Sequence, residues 1–172
     1  LSMNLLDILF NYSNEIVTYR FLCYLLLLFV VMVIERKISS ASVTIAVLVL
    51  GEGVHLFFIE PLYEIAKHPQ IISKFGWYGS WLAIDTFILF ILYEAHLKMK
   101  LRVTTMAQFY GASLLFFNVC QTIDFIDRAS FKTNAFSQFY QYGIFSVNMV
   151  LLPAMIFLWL HQIRLQKTNY GT

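Results

Sequence analysis

The sequence predicts an all-α fold of the integral membrane class: a polytopic helical bundle of about five transmembrane helices, preceded by a short interfacial amphipathic segment. Two observations carry that expectation. Of 172 residues, 59% are hydrophobic and 13% charged, whereas a soluble domain carries roughly a quarter charged residues. The apolar residues also fall in runs of roughly 18 to 23, and at about 1.5 Å per helical residue such runs match the ~30 Å hydrocarbon core of a bilayer. Lipid is therefore the expected solvent and first partner.

The same composition excludes several classes. Net charge is +2 with the basic residues dispersed, so the basic stripe that nucleic acid requires is absent and no nucleic-acid partner is expected. Cys23 and Cys120 lie in separate apolar runs without a CxxC or His-Cys spacing, and read as buried thiols. No HExxH or GxSxG occurs, which leans away from an enzyme and leaves no catalytic residue to name.

Taken in order, Leu1 and Ser2 precede the first methionine and read as an addition to the chain. Residues 3–18 form the expected N-terminal amphipathic segment, with Leu5, Leu6, Ile8, Leu9 and Phe10 around Asp7. The acids Asp7 and Glu15 stand where a cleavable leader needs basic residues, so the first helix is expected to persist. Residues 19–163 form one bundle with spans at about 19–35, 43–61, 78–97, 103–125 and 139–161, and residues 164–172 form a tail.

The first span is apolar apart from Arg20 at its edge and reads as a lipid-facing scaffold without an intramembrane charge. The second ends at Pro61, whose missing N–H suits a helix end; Gly51 and Gly53 flank Glu52, either to admit a ligand or to pack a neighbouring helix. A connection over 64–76 leads to the aromatic anchor Trp77, Tyr78 and Trp81. The third span carries Asp85, the fourth a polar stripe including Asn118 and Thr122, and the fifth Asn148 and a kink at Pro153.

Lysine and arginine placement predicts orientation. Arg36, Lys37, Lys98, Lys100, Arg102, Arg164 and Lys167 fall on one side, packed against helix ends, and Arg20, Lys67, Lys74, Arg128 and Lys132 on the other. The positive-inside rule then puts the N-terminus outside and the C-terminus in the cytosol.

The candidate site is the polar layer that this topology brings to one depth: Glu52 and His55 from the second span, Asp85 from the third, Asn118 and Gln121 from the fourth, Asn148 from the fifth. A charge at a helix centre costs roughly 2.5–3.5 kcal/mol on insertion scales, so these acids should face one another or a cavity. Two acids at such depth oppose each other's ionisation, so one is expected to hold a proton and the other to pair with His55. The layer is expected to bind or pass a small polar ligand, a proton or a cation, in a channel, transporter or sensor subunit.

The competing readings are a structural or regulatory subunit whose polar residues only join helices, and a metal-binding membrane enzyme using Glu52, His55 and Asp85. A homo-oligomer or a partner membrane subunit is a further expectation. His96 and His161 read as interfacial residues, and Asp124, Asp127 and Arg128 as solvated helix-end pairs.

The topology is directly testable. In a background lacking Cys23 and Cys120, cysteines at Lys100 and Lys132 should react with an impermeant thiol reagent from opposite sides of a sealed vesicle; labelling of both from one side would refute five spans.

Overall fold

The computed structural model describes residues 5–68, 70–133 and 135–169, with side chains described for Glu15 and from residue 17 to 165 within those segments. It consists of α1 (Leu5–Glu35), α2 (Ser40–Ala66), α3 (Ile71–Lys98), α4 (Thr105–Ile126), a π-helical turn (Asp127–Phe131) and α5 (Ser137–Asn169), with no strand among the described residues. Five helical stretches are long and apolar enough to cross a membrane: Val17–Glu35, Ser40–Ala66, Ile71–Lys98, Thr105–Phe131 and Ser137–Leu165.

Successive helices pack as antiparallel neighbours, and α2 also touches α4 while α1 touches α5. Short connections enforce this arrangement. One end of the bundle carries the connections 36–39 and 99–104, the other 67–70 and 132–136. The core they enclose is built from Tyr24 and Val31, Ile45 and Leu48, Ile88 and Leu92, Met106 and Leu114, and Leu151 and Met155. Large apolar side chains also cover the outside, among them Leu26, Phe29, Phe57, Phe87 and Phe157. A helix apolar all round is what an apolar solvent allows.

The helix ends are specified locally. Ser39 caps α2 in a reciprocal capping box with Ser42, satisfying amide donors that the first turn leaves free. At the end of α3, Leu101 N–H bonds the His96 carbonyl and Lys100 N–H that of Leu97, the paired bonds of a Schellman cap. Its left-handed residue is Lys100, with φ of 52°; Arg36 and Lys132 take the same conformation after α1 and the π-helical turn. A basic residue there meets the negative end of the helix dipole.

Several boundaries differ from the sequence reading, α5 for instance running to Asn169 where a span ending at 161 is expected. Helix α2 does not stop at Pro61 but runs on to Ala66, because a proline removes only its own bond to the carbonyl four residues earlier and leaves the rest of the ladder intact. Helix α3 begins at Ile71, so the expected connection over 64–76 shrinks to residues 67–70. From Leu5 onward the N-terminal segment is continuous with the first span in α1; Met3 and Asn4 lie outside the described residues, as do the side chains of residues 5–14. Helix α5 likewise continues through Pro153.

The two glycines beside Glu52 have separate packing reasons. A Cβ on Gly51 would lie 2.9 Å from the Tyr110 hydroxyl and 3.0 Å from Ile88 Cδ1, whereas one on Gly53 would lie 3.4 Å from Phe21. Gly51 therefore lets α3 and α4 side chains close onto α2. Gly51→Ala should lower stability by about 1–3 kcal/mol as the packed core is forced apart, and Gly53→Ala by clearly less. Thermal unfolding of both variants in detergent checks the ordering.

Candidate functional site

Antiparallel hairpins bring residues at similar distances from a turn to the same height. Glu52 lies about 18 Å along α2 from Ser40, and Arg20 about 22 Å along α1 from Glu35, at 1.5 Å per residue. A guanidinium stem spans the difference. Arg20 Nη2 donates to Glu52 Oε2 at 2.6 Å and Nε to the same oxygen at 3.2 Å. Both groups are largely withdrawn from the surface, with side-chain exposures of 14% and 5%. Glu52 thus faces α1, and the first helix carries a buried charge, contrary to its reading as an uncharged scaffold.

His55 sits three residues on, which rotates it about 60° from Glu52 around the helix. That is enough to aim it at α3 instead of α1. His55 Nε2 meets Asp85 Oδ1 at 2.9 Å, and Gln121 Nε2 of α4 donates to the other carboxylate oxygen at 3.1 Å. The imidazole also stands edge-on to Trp81, with ring centroids 5.1 Å apart. Asp85 is therefore held from both sides.

Of the six expected site residues, His55, Asp85 and Gln121 form one hydrogen-bonded unit. Glu52 belongs to a second unit with Arg20. Tyr110 of α4 is buried, and its hydroxyl lies against Gly51, the neighbour of Glu52 in α2. Asn118 is half-buried and donates to Thr86 at 3.2 Å. Asn148 is half-buried on α5 and takes no part in these bonds among the described residues. The two acids are thus served by separate basic partners and are not paired with each other.

Some polar atoms in this region keep unused capacity. The Tyr24 hydroxyl, Gln121 Oε1 and Asn118 Oδ1 are buried without a hydrogen-bond partner in the protein. No three His, Cys, Asp or Glu side chains among the described residues group to hold a metal ion, and the Glu52 carboxylate oxygen nearest Arg20 is already committed.

No known protein family matches the chain, and neither does any curated protein or solved structure. What the site can do rests on its own chemistry.

Two further polar clusters lie toward the ends of the bundle, and both correct the sequence reading. Asp124 and Asp127 are buried, not solvated: Asp124 accepts from the Tyr78 hydroxyl and from Arg128 Nε at 3.0 Å, and Asp127 from the Thr133 hydroxyl and the Phe136 amide. Arg128 Nη2 also donates to Ser137 Oγ at 2.8 Å, so the π-helical turn is tied to α3 and α5. His96 is likewise buried, not an interfacial anchor. Its Nδ1 lies 2.8 Å from the Leu92 carbonyl and must donate there, so Nε2 of the neutral ring accepts from Ser40 Oγ, also 2.8 Å away. Ser40 in turn meets Thr104 Oγ1 at 3.0 Å. His161 is exposed and stacked on Phe157.

Sequence order held a signal for Arg20 that composition hides. Its distance from the 36–39 connection matches that of Glu52, which is the arithmetic of a two-helix hairpin. Asp124 carried no comparable signal, because its partner Tyr78 looks like a membrane-interface aromatic.

The Arg20–Glu52 pair makes a stability prediction. Arg20→Met leaves a buried carboxylate without its cation and should cost about 3–5 kcal/mol. The double variant Arg20→Met/Glu52→Leu, which removes both charges, should recover most of that loss. Unfolding midpoints in detergent for the single and double variants provide the check.

Proposed function

We propose that this chain is a multi-pass membrane protein whose polar layer takes up and releases a proton at the His55–Asp85–Gln121 unit, in a transport or sensing role. The observation that carries this reading is the bond between an imidazole and a fully buried carboxylate: His55 Nε2 lies 2.9 Å from Asp85 Oδ1, and the Asp85 side chain is 2% exposed. Histidine is the side chain whose ordinary ionisation falls near neutral pH, and here it is bonded to an acid that water does not reach. A proton taken up by the imidazole can be shared with the acid within that bond.

The same geometry ranks the possible cargoes. A metal cation would have to displace His55 from Asp85 or Arg20 from Glu52, giving up a charge pair for each ligand gained. A proton needs only to move within an existing hydrogen bond. The buried acceptors on Gln121 and Asn118 and the Tyr24 hydroxyl are groups at which a proton-carrying water would be held. The distribution of basic residues supports an orientation in which the 36–39 and 99–104 connections face the cytosol.

A structural reading is favoured by a different observation: these bonds join α1 to α2, α2 to α3, and α3 to α4. The two readings diverge on conservative substitution. Trp81 lies against His55, so an imidazolium there should quench indole emission, giving a fluorescence step on acidification if His55 takes up a proton. His55→Gln should abolish the step and Asp85→Asn should displace it, with folding retained. In sealed vesicles carrying a pH dye, a transport role adds proton entry that falls at least about tenfold in both variants. An emission profile that is flat in the wild type, or unchanged in His55→Gln, would leave only the structural role.

A further inference from the structure

Where α2 ends, α3 begins and α5 begins, the structure holds a cavity of about 300 Å³ lined by Lys74, Trp77, Tyr78, Arg128, Tyr140 and Gln141, together with His68 and Ala66. It differs in character from the grooves elsewhere on the bundle, which are apolar: one between α4 and α5 is walled by Phe109, Phe116 and Val150, and one between α1 and α2 by Phe21, Leu50 and Phe57. No Asp or Glu lines it.

We propose that this cavity binds a phosphate-type oxyanion, either free phosphate or the phosphate of an anionic lipid headgroup. Lys74 is half-buried in the first turns of α3 and makes no ion pair among the described residues. The Lys74 ammonium lines a cavity that supplies no carboxylate, so its positive charge there is left for a ligand to balance. Arg128 is held in place by Asp124 and Ser137, bonds that use Nε and one Nη2 hydrogen. A guanidinium has five N–H donors, so the rest remain for a ligand.

The neutral donors fit the same chemistry. The Trp77 indole and the Tyr140 hydroxyl both line the cavity, and each carries one hydrogen that it can donate to an acceptor. The Gln141 amide supplies further N–H groups. Ammonium, guanidinium, hydroxyl and amide from α3, the π-helical turn and α5 thus surround one small space, a number and spread of donors suited to a tetrahedral oxyanion. Asp124 neutralises Arg128 from behind, and Asp127 is occupied by Thr133 and Phe136. The excess charge of the site comes from Lys74, with His68 adding to it when protonated.

The position suits either source. The cavity opens at one end of the bundle, beside Trp77 and Tyr78, aromatic residues of the kind found at headgroup level. It is independent of the proton-uptake reading, since none of the lining residues belongs to the His55–Asp85–Gln121 unit.

The test uses the full chain, purified in detergent and stripped of lipid. Radiolabelled inorganic phosphate is measured by equilibrium dialysis, and retention of phosphatidylglycerol over phosphatidylcholine by native mass spectrometry. Saturable phosphate binding identifies free phosphate as a ligand; retention of phosphatidylglycerol without phosphate binding identifies the headgroup. Either supports the site if Lys74→Gln weakens it roughly tenfold while Lys74→Arg preserves it, both variants keeping the wild-type unfolding midpoint without ligand. His55→Gln should bind as the wild type does, so the failure of one proposal is distinguishable from the failure of the other. Absence of both ligands, or equal binding by Lys74→Gln, overturns the assignment.

Discussion

The constraint on which this structure depends is that a charge inside an apolar helix must find its opposite within the bundle. Desolvating either partner alone costs several kcal/mol, and an unpaired one would dominate the stability of a chain this small. Arg20–Glu52 meets that condition as an ion pair, and Asp85 is met by His55 Nε2 and by the Gln121 amide. Doing so fixes more than charge. Each contact joins two helices at one height and one rotation, so α1, α2 and α3 cannot turn about their axes without breaking these bonds, and Gln121 extends the restraint to α4. Apolar packing alone specifies rotation weakly where both solvent and core are hydrophobic.

Much of this arrangement was legible in the sequence. Runs of apolar residues located all five spans, and the cost of a buried acid singled out Glu52 and Asp85 before any neighbour was known. Asp85 with His55 and Gln121 follows from depth alone, because the connections are short. The pairing of Glu52 was missed for a physical reason: Arg20 lies close enough to the start of the first span to look solvated, yet a long flexible stem lets its charge act well away from its backbone. The burial of Asp124 and Asp127 was hidden in the same way. Polar residues near a span end look aqueous by composition, and only the fold shows that a π-helical turn closes over them.

The polar clusters at the two ends of the bundle differ in how far they are satisfied. At the 36–39 end, Ser40, His96 and Thr104 form a closed chain in which both ring nitrogens have partners, and Trp159 donates to Glu35 at 2.9 Å. Such a cluster holds helices and leaves little to offer a ligand, although the second carboxylate oxygen of Glu35 stays unpartnered. At the 67–70 end, Lys74 and part of the Arg128 guanidinium remain open toward a cavity. Hydrogen-bonding groups are thus largely spent at one end of the bundle and partly unspent at the other.

Rigid aromatic rings connect the second of these ends to the midplane. Trp77 lines the cavity and stands edge-on to Trp81 with centroids 5.6 Å apart, and Trp81 stands edge-on to His55 at 5.1 Å. Indole rings in a packed helix interface have few alternative rotamers, so these edge contacts give the rings beside His55 a fixed geometry. The link also has a sign: a cation is attracted to the face of an indole ring, whereas the present edge-on contact offers little of that attraction. Attraction to the ring face is therefore no part of what positions His55, and the imidazole is fixed against Trp81 by its bond to Asp85 and by packing.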